Sequence, residues 1–256
     1  MSDHVRLDVD GPVAALTFDR PSKRNAMTVD MWTSIPQLLS KAADDTGVKV
    51  LVLRGGAHFS AGADIGELAA LRSPADGRRF NAITDAAEAA VASFPKPTIA
   101  AVRGFCIGGG CELAVACDMR IAARDARMAI TPAKLGVVYT HRPTKRLADL
   151  VGPAWAKQIL FTGEQLDAGQ ALRIGLVNEV ADDLDARVAE LAGTIAERSQ
   201  VTVRAVKAIV NRIQDGADDE DDEVRGLYDH GYASPDFAEG VAAFTEKRRP
   251  EFRSPR

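Results

Sequence analysis

The chain has 256 residues, 46% of them hydrophobic and 27% charged, with a formal net charge of −4. That size and balance suit one large domain, or one domain with a helical appendage. The mild acidity gives no electrostatic ground for nucleic-acid binding. No apolar run approaches the ~20 residues of a membrane span, and residues 1–10 lack the apolar segment of a secretory signal. The expected compartment is therefore the cytoplasm.

Val5 to Phe18 reads as two short strands around Asp10-Gly11, a hairpin signal. Thr28 is placed to cap a helix running to about Lys41, with Met31, Ile35, Leu38 and Leu39 on one face. Val48 to Leu53 is a continuous apolar run that suits a buried parallel strand. Gly55 to Gly62 is loop, a helix is expected from about Ala63, and Arg72 to Arg79 reads as a polar stretch. Thr98 to Val102 is a second buried strand, started by Pro95 and Pro97. A glycine-rich turn at Gly104 to Gly110 leads into a helix over Cys111 to Cys117, and Met119 to Ala123 is a third strand. Val177 to Val180 suits one more strand. From Leu184 the pattern is helical to about Lys247. Strands separated by helices predict right-handed crossovers and a largely parallel sheet. The division expected is a core over residues 1–195 and a helical region over 196–256. The three cysteines, Cys106, Cys111 and Cys117, fit neither a disulfide framework nor a zinc site, and predict buried reduced thiols.

Two segments carry candidate chemistry: Phe59-Ser60-Ala61-Gly62-Ala63-Asp64-Ile65 and Gly108-Gly109-Gly110-Cys111-Glu112-Leu113. Each follows a predicted strand and opens a predicted helix. Helix N-termini carry free N–H groups and a positive partial charge, and glycine lets a ligand approach the backbone. Either segment alone reads more simply as an ordinary tight strand-to-helix turn. Two such termini facing one point would form an oxyanion hole. Glu112 is placed either for acid–base work or as a partner of the helix dipole. His4, His58 and His230 lack partners at ligand spacing, so no metal is expected. Asp64 is expected to cap or brace its helix, Asp118 to be structural, and the acidic run Asp218 to Glu223 to be a solvated face.

The string PTIAAVRGFCIGGGCELAVACD from Pro97 to Asp118 resembles the signature of the enoyl-CoA hydratase/isomerase (crotonase) superfamily. FSAGADI resembles the family's other oxyanion-loop motif, and Arg20 to Met27 resembles its R-P-x-x-x-N-A-[LM] segment. Phe161-Thr162-Gly163 and Ala171 to Val177 resemble a later T-G and A-x-x-x-G-L-V stretch. The resemblance implies an α/β core of repeated ββα units with a C-terminal helical region that packs a homotrimer, or a hexamer as a dimer of trimers. It implies an acyl-CoA thioester as substrate and no separate cofactor. By position, Ala63 and Gly109 supply the backbone N–H donors to the thioester carbonyl, and Glu112 matches a catalytic carboxylate of hydratases. Lys23 and Arg24 are candidates for the CoA phosphates, with solvated loop cations as the alternative. The backbone around Ala61 and Ile65 would lie near adenine and pantetheine, and a direct role at the substrate is the alternative for Asp64. Phe244 and Lys247 would complete the CoA site of a neighbouring subunit.

The chain departs from the hydratase pattern where hydratases carry Q-P-E-x-x-L-G. Here the segment is Ile130 to Gly136, and Pro132 stands in place of the second glutamate. The string T-P-x-x-L-G-V-x-Y resembles the methylmalonyl-CoA decarboxylase branch, which places a tyrosine, here Tyr139, near the acyl group. Tyr139 reads alternatively as an amphipathic pocket wall, and His141 as a surface or substrate-side histidine. The resemblance thus implies hydratase/isomerase-type chemistry through a thioester enolate. Decarboxylation of a malonyl-type ester is the alternative reaction, and a catalytically weak acyl-CoA or protein binder is the alternative of another class.

Overall fold

The structure is a computed structural model that describes residues 2–252. The chain opens with β1 (Val5–Asp10), β2 (Val13–Phe18) and a 3-10 turn (Pro21–Lys23), followed by α1 (Val29–Asp44), β3 (Val50–Gly55), α2 (Ile65–Ala70) and α3 (Pro74–Ala92). The middle runs through β4 (Thr98–Val102), β5 (Phe105–Ile107), α4 (Gly109–Ala116), β6 (Met119–Ala123), β7 (Arg127–Ala129), α5 (Pro132–Leu135) and α6 (His141–Thr162). It closes with β8 (Leu166–Asp167), α7 (Ala168–Arg173), β9 (Glu179–Ala181), α8 (Leu184–Ala196), α9 (Gln200–Gln214), α10 (Asp222–Ala233) and α11 (Pro235–Glu246).

Six strands form one sheet in the order β1-β2-β3-β4-β6-β9, antiparallel only at β1–β2. A second sheet, β5-β7-β8, is fed by the same crossovers: β4 leads into β5, and β6 into β7, so each strand pair places one member in each sheet. Alternation along the central strands separates two cores. Leu51, Leu53, Ala100 and Val102 face α1, α3 and α4, whereas Val50, Val52, Ile99 and Ala101 face α8. The Thr28 hydroxyl accepts from the Met31 N–H at 3.3 Å, and Met31, Ile35, Leu38 and Leu39 are buried, as their spacing predicts.

Several sequence expectations need correction. The polar stretch Arg72 to Arg79, for which no helix was expected, contains the start of α3. Ser73 caps α3 by accepting from the Asp76 N–H, and Pro74 occupies its first turn, where a missing N–H costs nothing. The helix expected from Ala63 begins at Ile65, because Asp64 is its N-cap. The last strand lies at Glu179–Ala181, two residues beyond the expected start. The long helix α6, kinked where Gly152 (φ 78°) precedes Pro153, and the short strands of the second sheet had no sequence expectation. All three cysteines are free and buried. Among the described residues no helix is long and apolar enough to cross a membrane.

Candidate active site

Three segments distant in sequence meet behind the predicted oxyanion loops. The amides of Phe59 and Ser60 donate to the carbonyls of Arg103 and Phe105, each at 2.9 Å, and Ile107 donates back to Ser60 at 2.9 Å. From the other side, Ala61 donates to Arg24 at 2.9 Å, Met27 to Gly62 at 2.7 Å, and Asp64 to Met27 at 2.9 Å. Asn25 fastens this crossing with its side chain. Its Nδ2 donates to the His58 carbonyl at 2.7 Å, its Oδ1 accepts from the Arg20 N–H at 2.8 Å, and its carbonyl accepts from the Ser60 hydroxyl at 2.8 Å. Asn25 is 3% exposed, so each of these bonds replaces water that cannot reach it.

The crossing explains two glycines. Gly62 has φ 90°, and a Cβ there would stand 2.8 Å from the Ile107 carbonyl oxygen and 3.6 Å from the Gly108 Cα. Gly108 has φ 55° and ψ −130°, a conformation that L side chains rarely adopt. Only bare backbone lets the two loops pass this closely. The residues that follow, Ala63 and Gly109, have N–H groups with no acceptor among the described residues. Gly109 is the first residue of α4, so its free N–H lies at the positive end of that helix.

Glu112 lies in the first turn of α4 and is 7% exposed. Against it, from α3, stands Glu88, 2% exposed and near enough that each carboxyl shifts the proton affinity of the other. Two neighbouring carboxyls in a dry site resist ionising together, which favours a retained proton. Burial, then the neighbouring Glu88, pushes the Glu112 carboxyl well above the usual carboxylate range. Burial pushes Glu88 up to about 8, against the opposing pull of Arg146. The Arg146 Nη1 is 3.9 Å from the Glu88 Oε2, too far for a hydrogen bond, and that buried oxygen has no donor. The loop before α6 closes over this pair. Thr140 donates to the Asp85 carboxylate at 2.6 Å, and the Tyr139 hydroxyl lies 3.3 Å from where a Cβ on Gly108 would stand. Burial and then Glu112 push the Tyr139 phenol upward, so it remains a neutral donor beside the second loop.

The remaining candidates divide. Asp64 accepts from the Gly66 and Glu67 amides and pairs with Arg20 at 2.6 Å, which holds its carboxyl below the usual range. Ala61 is half-buried, Ile65 is 61% exposed, and Lys23 is exposed on the 3-10 turn. The Arg24 guanidinium lies 5.1 Å from the centre of the Phe105 ring. Pro132 is buried at the first position of α5, and His141 is exposed at the first position of α6. Phe244 and Lys247 sit at the end of α11, outside this cluster of elements. Phe244 is 88% exposed and lines a groove of about 690 Å³ with Tyr228, Tyr232 and Val241. Sequence reading had no expectation for Glu88, Asp85 or Arg146. The available signal was a glutamate between Ala87 and Val91, both buried, on the core face of a helix, where a charge is rarely placed without a partner.

Residues 8–255 match the Enoyl-CoA hydratase/isomerase family. The crotonyl-CoA hydratase of Syntrophomonas wolfei is 36% identical over 98% of each chain, and the short-chain-enoyl-CoA hydratase of Clostridium acetobutylicum is 34% identical over 97% of each. Among solved structures, a Hyphomonas neptunium protein assigned to the enoyl-CoA hydratase/isomerase family superposes with a TM-score of 0.95, at 38% identity and 98% coverage of both chains. These relatives lend no specific support to the methylmalonyl-CoA decarboxylase branch. With the sequence match running nearly end to end and the two-sheet fold in agreement, the chain belongs to the enoyl-CoA hydratase/isomerase family.

Proposed function

We propose that the protein acts on an enoyl-CoA thioester. The thioester carbonyl is held between the Ala63 and Gly109 N–H groups, and Glu112 moves a proton at the acyl carbons. The supporting observation is the pair of unpaired backbone donors on either side of one crossing, with a buried carboxyl one turn along the helix that supplies the second donor. Charge that develops on the carbonyl oxygen as an enolate forms is stabilised by donors already aimed at it and by the helix N-terminus. The names of the relatives, crotonyl-CoA hydratase and short-chain-enoyl-CoA hydratase, support a short enoyl chain.

The reaction follows from what flanks the enolate. Hydration needs one group to activate water and another to protonate the α-carbon, and Pro132, at the hydratases' second-glutamate position, can do neither. Double-bond isomerisation needs only one carboxyl that removes a proton and returns it elsewhere, so isomerisation is the principal activity of this reading and direct hydration is slow. Lys23 and Arg24 are the cations offered to the CoA phosphates. The same reading extends to assembly: the exposed apolar side chains of α9–α11, Phe244 and Tyr232 foremost, are covered in a homotrimer or hexamer, where Phe244 and Lys247 meet a neighbour's CoA site.

The test is a panel of enoyl-CoA esters, with hydration and isomerisation measured for wild type and Glu112→Gln. The variant is expected to lose about 10²–10⁴-fold in turnover while still binding CoA esters. Wild-type turnover by Glu112→Gln would remove the carboxyl from the mechanism. Hydration as fast as that of a two-glutamate hydratase would overturn the preference for isomerisation. Sedimentation showing only monomer would refute the assembly.

A further inference from the structure

Glu88 is a buried carboxyl that the proposed mechanism does not use. A carboxyl that is 2% exposed, with one oxygen lacking any donor and its one facing cation 3.9 Å away, is costly to bury as an ion. Carboxylates with structural roles use caps or close ion pairs, as half-buried Asp118 does with the Thr98 N–H and Lys207. Glu88 has neither. It has Glu112.

We propose that Glu88 and Glu112 form a carboxyl dyad that shares a single proton in its active state, with Glu88 as the positioning residue that lets Glu112 both take and give a proton. The proposal rests on the reading of Glu112 as the acid–base group. The groups facing the pair are Asp85 on α3, Cys111 on α4, Arg146 on α6 and Tyr139 in the loop before α6. Arg146 supplies one positive charge opposite the dyad's one negative charge, and Tyr139 is neutral. A pair this close titrates as a unit in two steps, because the second ionisation places two negative charges in one dry site.

The dyad suits double-bond isomerisation of a β,γ-enoyl thioester. Its ionised carboxyl removes a proton from the α-carbon, and the electron pair of that C–H bond is taken up by the thioester carbonyl and the double bond as a dienolate. As the dienolate collapses, the resident proton goes to the γ-carbon and the double bond comes to lie between the α- and β-carbons. The dyad ends with one proton, as it began, so no further acid or base is required.

Infrared spectroscopy of the wild-type protein tests this without any substrate. A protonated carboxyl C=O stretch is expected at neutral pH and is lost on alkalinisation. Its absence at neutral pH overturns the dyad. The pH profile of kcat/KM, measured with an enoyl-CoA ester that the wild type turns over, is expected to be bell-shaped. In Glu88→Gln, checked by circular dichroism for fold, the alkaline limb is expected to vanish, because one carboxyl alone titrates once. Retention of the wild-type bell by folded Glu88→Gln overturns the proposal. A fully active Glu112→Gln would sink the active-site reading while leaving the infrared band in place. Loss of activity in Glu112→Gln without the band would sink the dyad alone.

Discussion

At residues 60–65 the chain passes through two isolated backbone bridges, Ser60 with Cys106 and Ala63 with Met27, turns at Gly62 and enters α2, six residues with no buried side chain. At residues 107–112 it leaves β5, turns at Gly108 and enters α4, in which every residue from Gly110 to Ala116 is buried. Each junction presents a free N–H, at Ala63 and at Gly109, but they are held differently. The first is tied down by side chains from elsewhere: Asn25 on the His58 carbonyl, Arg20 on Asp64, and Asp64 on its own helix. The second is held by its own immersion in the core, which also raises the proton affinity of Glu112. A junction built from polar ties can be loosened one bond at a time. A junction built from burial cannot be altered without moving the core or its carboxyls.

The largest effect is expected at the buried junction. Proline at the first position of a helix preserves the helix and deletes the N–H, so Gly109→Pro isolates the donor. A Cβ at this position would stand 3.0 Å from the Trp32 ring, so Gly109→Ala is the control that adds the same contact and keeps the N–H. Turnover of the proline variant is expected to fall about 10²–10³-fold below that of the alanine variant, with circular dichroism unchanged. Equal turnover would mean that the second junction is not a donor.

The pH dependence of stability sharpens the same contrast. Glu88 is raised from an ordinary 4.5 to about 8, so between those values the native state holds a proton that the unfolded chain has released. Stability contributed by this group is full at acid pH and declines as pH rises through that window. The thermal midpoint is expected to fall across it, and Glu88→Gln is expected to flatten the slope. An unchanged slope in the variant would show that Glu88 ionises freely.

At the tethered junction the effects are smaller. Asn25→Ala leaves the His58 carbonyl and the Arg20 N–H without their partners in a buried place. It is expected to cost about 1–3 kcal/mol, read from urea midpoints, and to lower turnover through the Ala63 loop. Smallest is Asp64→Ala, which removes a cap and one half-buried ion pair from a short exposed helix. About 1 kcal/mol is expected. A cost at Asp64 exceeding that at Asn25 would reverse the assignment of the main tether.

The hairpin at Val5–Phe18, the helix after Thr28 and the central strands are legible in the sequence because each combines a strong apolar period with a clear cap or turn. α3 is not, although Ser73-Pro74 is a start signal, because its first turns are polar and face solvent. The strands of the second sheet span two or three residues, too few to show alternation. Within the site, Glu112 can be singled out from its motif, and Ala63 and Gly109 through family resemblance, since a backbone donor leaves no trace in side-chain chemistry. Glu88 is invisible for a different reason. Nothing local marks it until the fold lays α3 against α4 and turns an ordinary helical glutamate into a buried carboxyl beside Glu112.

The backbone crossing also governs how the site comes into being. Its ties link residues 33, 35 and 44 positions apart, from Asn25 to His58, Asn25 to Ser60 and Arg20 to Asp64, and its third strand arrives only with residues 103–107. Contacts this remote form only after the intervening loops have closed, at an entropic cost that local helices such as α1 do not meet. A chain emerging from the ribosome therefore has a hairpin and α1 well before the two amides can face one another. A fragment that stops short of residue 103 carries the first oxyanion motif intact in sequence and has no partner strand to hold it in shape.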